Sequence, residues 1–301
     1  MDATQKKILA LKEEKGALIL AHYYQTMDIQ EIADHVCDSF EMARLARGAE
    51  ADLLIICGVR FMAESAKIFN PGKTVLLASP DASCPMADMI TPGDVSKLRE
   101  QYPDAAIVCY VNSSSAVKAA CDVCCTSSSA ESIVRALPEK KIVFVPDRNL
   151  GAYVASKVPD KEVILFDGCC PIHDCVTGND ALLAKTAHPD AKLFAHPECR
   201  ADVLRLADYI GSTAGIIKEA LASDCGEFII ATETEIAGRL ASLAPEKSFF
   251  PLRSDFICPD MKKTRTADVL DSLKNCRFEI KLDPDEMDAA RGCLDRMIEL
   301  G

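Results

Sequence analysis

The sequence predicts an α/β protein built from three pseudo-threefold-related domains, each a small parallel sheet with flanking helices, with the active site at their central junction. Three observations carry this expectation. Short apolar runs alternate with stretches of helical period from one end of the chain to the other, the pattern of parallel βα units. Strand candidates end repeatedly in His or Tyr. Polar and cysteine positions then recur behind those strand ends with a period of 86 to 88 residues.

In the first unit, residues 1–88, the runs 17–21, 53–57 and 75–78 read as strands, and 39–47 and 61–69 as helices. The second unit, 89–175, carries strands at 107–111, 142–145 and 163–166 and a helix at 130–137. Strands at 192–195 and 228–231 with a helix at 214–222 make the third, 176–264. A tail, 265–301, offers a strand at 278–282 and a helix at 284–300, expected to pack back on the first unit. Serine clusters at 113–115 and 127–129 are too short for linkers and precede helices, where serine caps.

The repeat is counted from His22, Tyr110 and His196. A hydroxyl residue lies 17 positions later each time, at Ser39, Ser127 and Thr213, and a cysteine 62, 60 and 62 positions later, at Cys84, Cys170 and Cys258. Two positions after each origin stands another polar group: Tyr24, Asn112 and Glu198. In open α/β sheets such positions fall in the loops at the carboxyl ends of strands, where ligands bind. One cysteine per unit, brought to a common axis, is a metal-ligand arrangement. Three thiolates suit zinc or an iron–sulfur cluster. Zinc fits less well, because Cys121-x-x-Cys124 has no second pair to match it. A [4Fe-4S] cluster on three cysteines leaves one iron open as a Lewis acid. The other twelve cysteines read as buried small residues, with His173, three positions after Cys170, able to orient that ligand.

Ser39, Ser127 and Thr213 each precede a helical pattern and are expected as N-caps, each worth about 1 kcal/mol. Converging helix starts bind carboxylates or phosphate. That local field matters here, because the net charge of −12 gives no global attraction for nucleic acid or anionic lipid. No apolar run approaches the length of a membrane span, and no leader is recognisable at the start, so a cytoplasmic location is expected. Fifteen cysteines, including the adjacent pairs Cys124-Cys125 and Cys169-Cys170, suit a reducing compartment better than a disulfide ladder.

Several segments together resemble quinolinate synthase. They are Ala21-His-Tyr-Tyr-Gln25, Asp38-Ser39, Tyr110-Val-Asn-Ser-Ser-Ser-Ala-Val-Lys118, Cys124-Cys-Thr-Ser127, Cys170-Pro-Ile-His173, His196-Pro-Glu-Cys199, Gly211-Ser-Thr-Ala-Gly-Ile-Ile217 and Ile257-Cys-Pro-Asp-Met-Lys-Lys263. The resemblance spans nearly the whole chain. It implies an enzyme of NAD biosynthesis that condenses iminoaspartate with dihydroxyacetone phosphate to quinolinate, phosphate and water. It also implies a [4Fe-4S] cluster on Cys84, Cys170 and Cys258, with Tyr24, His196 and Glu198 catalytic. Substrate would contact His22, Ser39, Tyr110, Val111, Asn112, Ser127, His196, Pro197, Glu198, Ser212 and Thr213. L-Aspartate oxidase is the functional partner implied, and neither nucleic acid nor a membrane is. The competing readings are another three-cysteine cluster enzyme, such as a diphosphate reductase or a diphthamide-type enzyme, and a non-catalytic iron–sulfur sensor. The enzymes would need electrons or S-adenosylmethionine. A sensor needs a DNA-binding or partner module for which no basic patch exists.

Overall fold

The computed structural model describes residues 1–301. Its first unit runs α1 (Ala3–Lys15), β1 (Ala17–His22), α2 (Met27–Gln30), β2 (His35–Cys37), α3 (Ser39–Arg47), β3 (Leu53–Cys57), α4 (Arg60–Phe69), β4 (Thr74–Leu77). The second runs α5 (Pro92–Gln101), β5 (Ala106–Tyr110), α6 (Ser115–Ala120), β6 (Val123–Cys125), α7 (Ala130–Ala136), β7 (Lys141–Val145), α8 (Arg148–Lys157), β8 (Glu162–Leu165). After the one-turn α9 (Pro171–Asp174) come α10 (Gly178–Ala187), β9 (Lys192–Ala195), α11 (Ala201–Leu204), β10 (Tyr209–Ile210), α12 (Thr213–Ala222), β11 (Glu227–Ala231), α13 (Glu235–Leu243) and β12 (Ser248–Pro251). The chain closes with α14 (Thr266–Asn275) and α15 (Pro284–Leu300).

The three four-stranded sheets are wholly parallel and share one strand order: β2-β1-β3-β4, β6-β5-β7-β8 and β10-β9-β11-β12. The central strands are apolar on both faces, as helices on both sides require. In the first sheet Ile19, Ala21, Ile55 and Cys57 pack outward against α1 and α14, while Leu20, Leu54 and Ile56 join a large core continuous through all three units. The third sheet repeats this division, with Leu193, Ala195 and Ile229 on the outer face and Phe194, Phe228 and Ile230 on the inner.

Strands β2, β6, β10 and β12 have no counterpart in the sequence expectation; the first three, of two or three residues, are too short to show a period, and β12, with no fully buried residue, lacks the apolar burial of the central strands. The strand expected at 278–282 is one antiparallel bridge, Glu279 to Leu76. It is held by Leu77 N–H→Phe278 O and Ile280 N–H→Val75 O, and Phe278 takes φ +63°, a left-handed conformation that breaks the extended backbone where the strand was to begin. The tail, expected against the first unit, is divided. Helix α14 lies on α1 and β3 of that unit, but α15 lies mainly on α6 and β6 of the second and reaches α4. Its apolar stripe, Ala290, Cys293, Leu294 and Met297, finds its cover there. No helix is long and apolar enough to cross a membrane.

Candidate active site

The carboxyl ends of the three sheets face one cavity of about 850 Å³, its mouth included. His22, Tyr24, Ser39 and Cys84 reach it from the first unit, Tyr110, Asn112, Ser127 and Cys170 from the second, and His196, Glu198, Thr213 and Cys258 from the third. Val111, Pro197 and Ser212 stand behind the wall. Val111 is buried with its N–H on Cys125 O, Pro197 is buried between its neighbours, and Ser212 caps α12.

The three cysteines share a local construction. Each is followed by proline, and no other cysteine in the chain is. The turn that follows aims backbone N–H groups at the sulfur: Ala87 and Met86 at Cys84, His173 at Cys170, Met261 and Asp260 at Cys258. Buried carboxylates then hold the loops. Asp147 accepts the Cys170 N–H (3.2 Å), Glu233 the Cys258 N–H (3.4 Å), and Asp260 the N–H of Ser83 beside Cys84 (3.3 Å). Asp147 and Glu233 stand 86 residues apart, so the repeat period could have found them; Val59 is their counterpart in the first unit. Burial pushes the Cys84 thiol up to about 12, Cys170 well above its ordinary value and Cys258 upward. Such thiols ionise only against a cation. N–H groups aimed at three largely shielded sulfurs fit an iron–sulfur cluster. The tightest ligand group is a different one, Cys170, His173 and Glu198, whose donor atoms lie within 4.8 Å of one another.

Around these thiols a chain of hydrogen bonds links all three units. Thr213 Oγ1 meets the Tyr24 hydroxyl (3.1 Å), which meets Thr232 Oγ1 (2.7 Å), and Thr232 meets His173 Nε2 (2.9 Å). His173 Nδ1 lies 2.8 Å from Glu198 Oε2 and 3.2 Å from Cys170 Sγ, and the Tyr110 hydroxyl donates to Glu198 Oε1 at 2.6 Å. The two histidine origins are built alike. Tyr24 N–H donates to His22 Nδ1 (3.1 Å) and Glu198 N–H to His196 Nδ1 (3.4 Å), which fixes both rings with Nε2 as the remaining donor. His196 Nε2 meets Ser127 Oγ at 3.1 Å.

Burial, then His196, lowers His22 to about 3, and burial lowers His196 to about 4, so both rings are neutral near pH 7. Burial works against the Glu198 carboxylate as well, but His173, His196 and the Tyr110 hydroxyl together overcome it and hold Glu198 below its ordinary value. Burial and the Glu198 charge keep both tyrosines well above theirs, hence as proton donors.

The expected caps are corrected by one or two residues. Asp38 caps α3 through the Glu41 N–H, and Ser212 caps α12 through the Gly215 N–H. Ser129 stands at the start of α7, its hydroxyl on the Thr126 N–H. Each helix is thus begun by a neighbour, which leaves the hydroxyls of Ser39, Ser127 and Thr213 turned to the cavity. Asn112 Oδ1 is buried there with no partner, an acceptor left for a ligand. Thr232, Glu233 and Lys262, which pairs with Glu233 at 2.8 Å, were not singled out from sequence, although the repeat period offers a route to Glu233.

Fold and site define a three-unit α/β enzyme in which three Cys-Pro thiols and a set of buried polar groups line one cavity. The family model described as quinolinate synthetase A protein matches residues 6–299. The quinolinate synthase of Caldicellulosiruptor saccharolyticus is 48% identical over 300 residues, covering 100% of this chain and 99% of that one. Quinolinate synthase 2 of Methanosarcina acetivorans is 45% identical over 295 residues, 98% of this chain and 95% of its own. A quinolinate synthase of Clostridium perfringens strain SM101 is 46% identical over 295 residues, 98% of both. The chain belongs to the quinolinate synthetase A family.

Proposed function

We propose that the chain condenses iminoaspartate with dihydroxyacetone phosphate to form quinolinate, releasing one phosphate and two waters. Cys84, Cys170 and Cys258 would hold a [4Fe-4S] cluster. When bound, it supplies an iron without a protein ligand, a Lewis acid for a substrate hydroxyl or carboxylate oxygen. The observation that carries the reading is the convergence of three Cys-Pro loops, one from each unit, on the cavity that holds the Tyr24-to-Glu198 chain.

The remaining work falls to the protein's own groups. His22 and His196 present Nε2–H donors while neutral, so they hydrogen-bond anionic oxygens without adding charge. Ser39, Ser127, Thr213 and Asn112 add polar contacts around the same space. Ring formation requires protons to leave carbon and to reach departing oxygens. The Glu198 carboxylate can take a proton, and Tyr110, hydrogen-bonded to it, can supply one. Tyr24 is joined to Glu198 through Thr232 and His173, so a proton taken at one end can be replaced from the other. Aspartate oxidation by L-aspartate oxidase is the reaction that would supply the unstable imine.

The test is anaerobic incubation of the iron-loaded protein with dihydroxyacetone phosphate and iminoaspartate generated from oxaloacetate and ammonia. Quinolinate should form without reductant or S-adenosylmethionine. Failure to form it, with reduction of a diphosphate substrate once electrons are supplied, would reject the reading.

A further inference from the structure

Four cysteines away from the cavity form a line through the second unit. Cys109 on β5 and Cys124 on β6 are register partners on adjacent strands, so their side chains share one sheet face. The Cys109 thiol, 3.4 Å from Tyr110 O, is influenced most strongly by its neighbours Cys121, the residue that ends α6, and Cys124. At the other end, Cys124 Sγ lies 3.2 Å from Sγ of Cys293 on α15. The order is Cys121, Cys109, Cys124, Cys293. Of these, Cys121 alone is partly exposed; the others are buried. No three of these sulfurs lie within 4.8 Å of one another. A metal ion needs ligands converging on one point, whereas a line of pairwise contacts is the geometry of thiol–disulfide exchange.

We propose that this line is a redox-modification site at which Cys121 receives oxidising equivalents and the stable product is a Cys124–Cys293 disulfide. Two S–H bonds break and one S–S bond forms. The two electrons and two protons go to a small-molecule disulfide, which becomes two thiols, or to a peroxide, which becomes two waters. Exchange through Cys109 carries the bond inward and returns Cys121 and Cys109 as thiols.

The product would tie down a helix that already bridges units. Arg291 of α15 donates to Phe69 O (3.3 Å) and Asp295 pairs with Arg47 (3.3 Å) on the first unit, while Arg296 donates to Asp122 O (2.9 Å) on the second. At its end Gly301 packs tightly beside Ser129 and Phe40, and Phe40 lines the cavity. Oxidation would therefore fix one wall of the site. The inference stands apart from which substrates the cavity takes.

The experiment uses iron-loaded protein treated anaerobically with oxidised glutathione, and separately with diamide. Free thiols are then alkylated and the protein is digested without reduction for mass spectrometry. The expected product is a peptide pair joining Cys124 to Cys293, lighter by two hydrogens, reversed by dithiothreitol and formed with iron content unchanged. Cys121→Ser should slow its formation by about tenfold or more, because a buried thiol is then attacked directly; Cys293→Ser should abolish it. The proposal is overturned if wild type yields no such pair with either oxidant, if Cys109–Cys121 is the end product, or if Cys121→Ser forms the pair at the wild-type rate. Stoichiometric zinc that blocks alkylation of all four would assign the site to a metal instead. The wild-type map decides even where a variant does not fold.

Discussion

Replacing Glu198 by glutamine is the sharpest test of the hydrogen-bond chain. Two donors converge on this carboxylate, the Tyr110 hydroxyl at 2.6 Å and His173 Nδ1 at 2.8 Å, and an amide offers a single oxygen to the pair. One donor therefore meets an N–H₂ group and must turn or lose its partner, and the other keeps a neutral bond in place of a charged one. A bond to a charged group contributes about 1.5–3 kcal/mol and a neutral one about half that, so losing one bond and weakening the other costs about 2–4.5 kcal/mol. If those contacts act in the transition state, kcat/KM should fall by about 30- to 2000-fold. Quinolinate formation should be followed under anaerobic conditions with iron content matched, and nitrogen-15 NMR should show the His173 Nδ1 hydrogen bond altered. A variant with wild-type kcat/KM and an unchanged His173 signal would refute the chain as a working element.

Three further outcomes are expected. Cys84→Ser, Cys170→Ser and Cys258→Ser should each lose iron and visible absorbance while Cys199→Ser keeps both, because Cys199 is buried away from the cavity with its thiol donating to Ala231 O; iron and sulfide analysis decides. Ser127→Ala and Thr213→Ala should raise KM with little loss of stability, whereas Ser212→Ala, which removes a true cap, should cost about 1 kcal/mol in urea unfolding. His196, lowered by burial to about 4, binds its proton in the unfolded chain from about pH 6.5 downward but not in the folded one, so stability is lost as pH falls through that window. Relative to His196→Gln, wild type should lose about 1.4 kcal/mol per pH unit between 6.5 and 4, and parallel curves would show the ring to be protonated when folded.

The central strands were legible because burial on both faces leaves them as unbroken apolar runs, as in Leu53–Cys57, where every residue is buried. Edge strands of two residues such as Tyr209–Ile210 carry no such mark. The resting place of α15 could not be read, since its apolar stripe names no partner and the surface it covers lies about half the chain away. At the site the repeat period located one cysteine, one hydroxyl and one polar group in each unit, all on the cavity wall. The caps slipped because Asp38-Ser39, Ser127-Ser128-Ser129 and Ser212-Thr213 each offer several adjacent oxygens, and only geometry decides which one turns back to the helix.

The three sheets repeat one strand order, and the proposed reactants have no such repetition. A cavity with three identical walls would accept an unsymmetrical molecule in three equivalent poses, of which one at most could react. The wall positions two residues beyond the origins differ, as Tyr24, Asn112 and Glu198, so the three poses meet a phenol, an amide and a carboxylate. Symmetry thus supplies three matching thiols, and the departure from it gives the cavity a head and a tail. A variant that made two walls alike, such as Glu198→Asn, would be expected to restore part of that degeneracy, with substrate still held but more often the wrong way round.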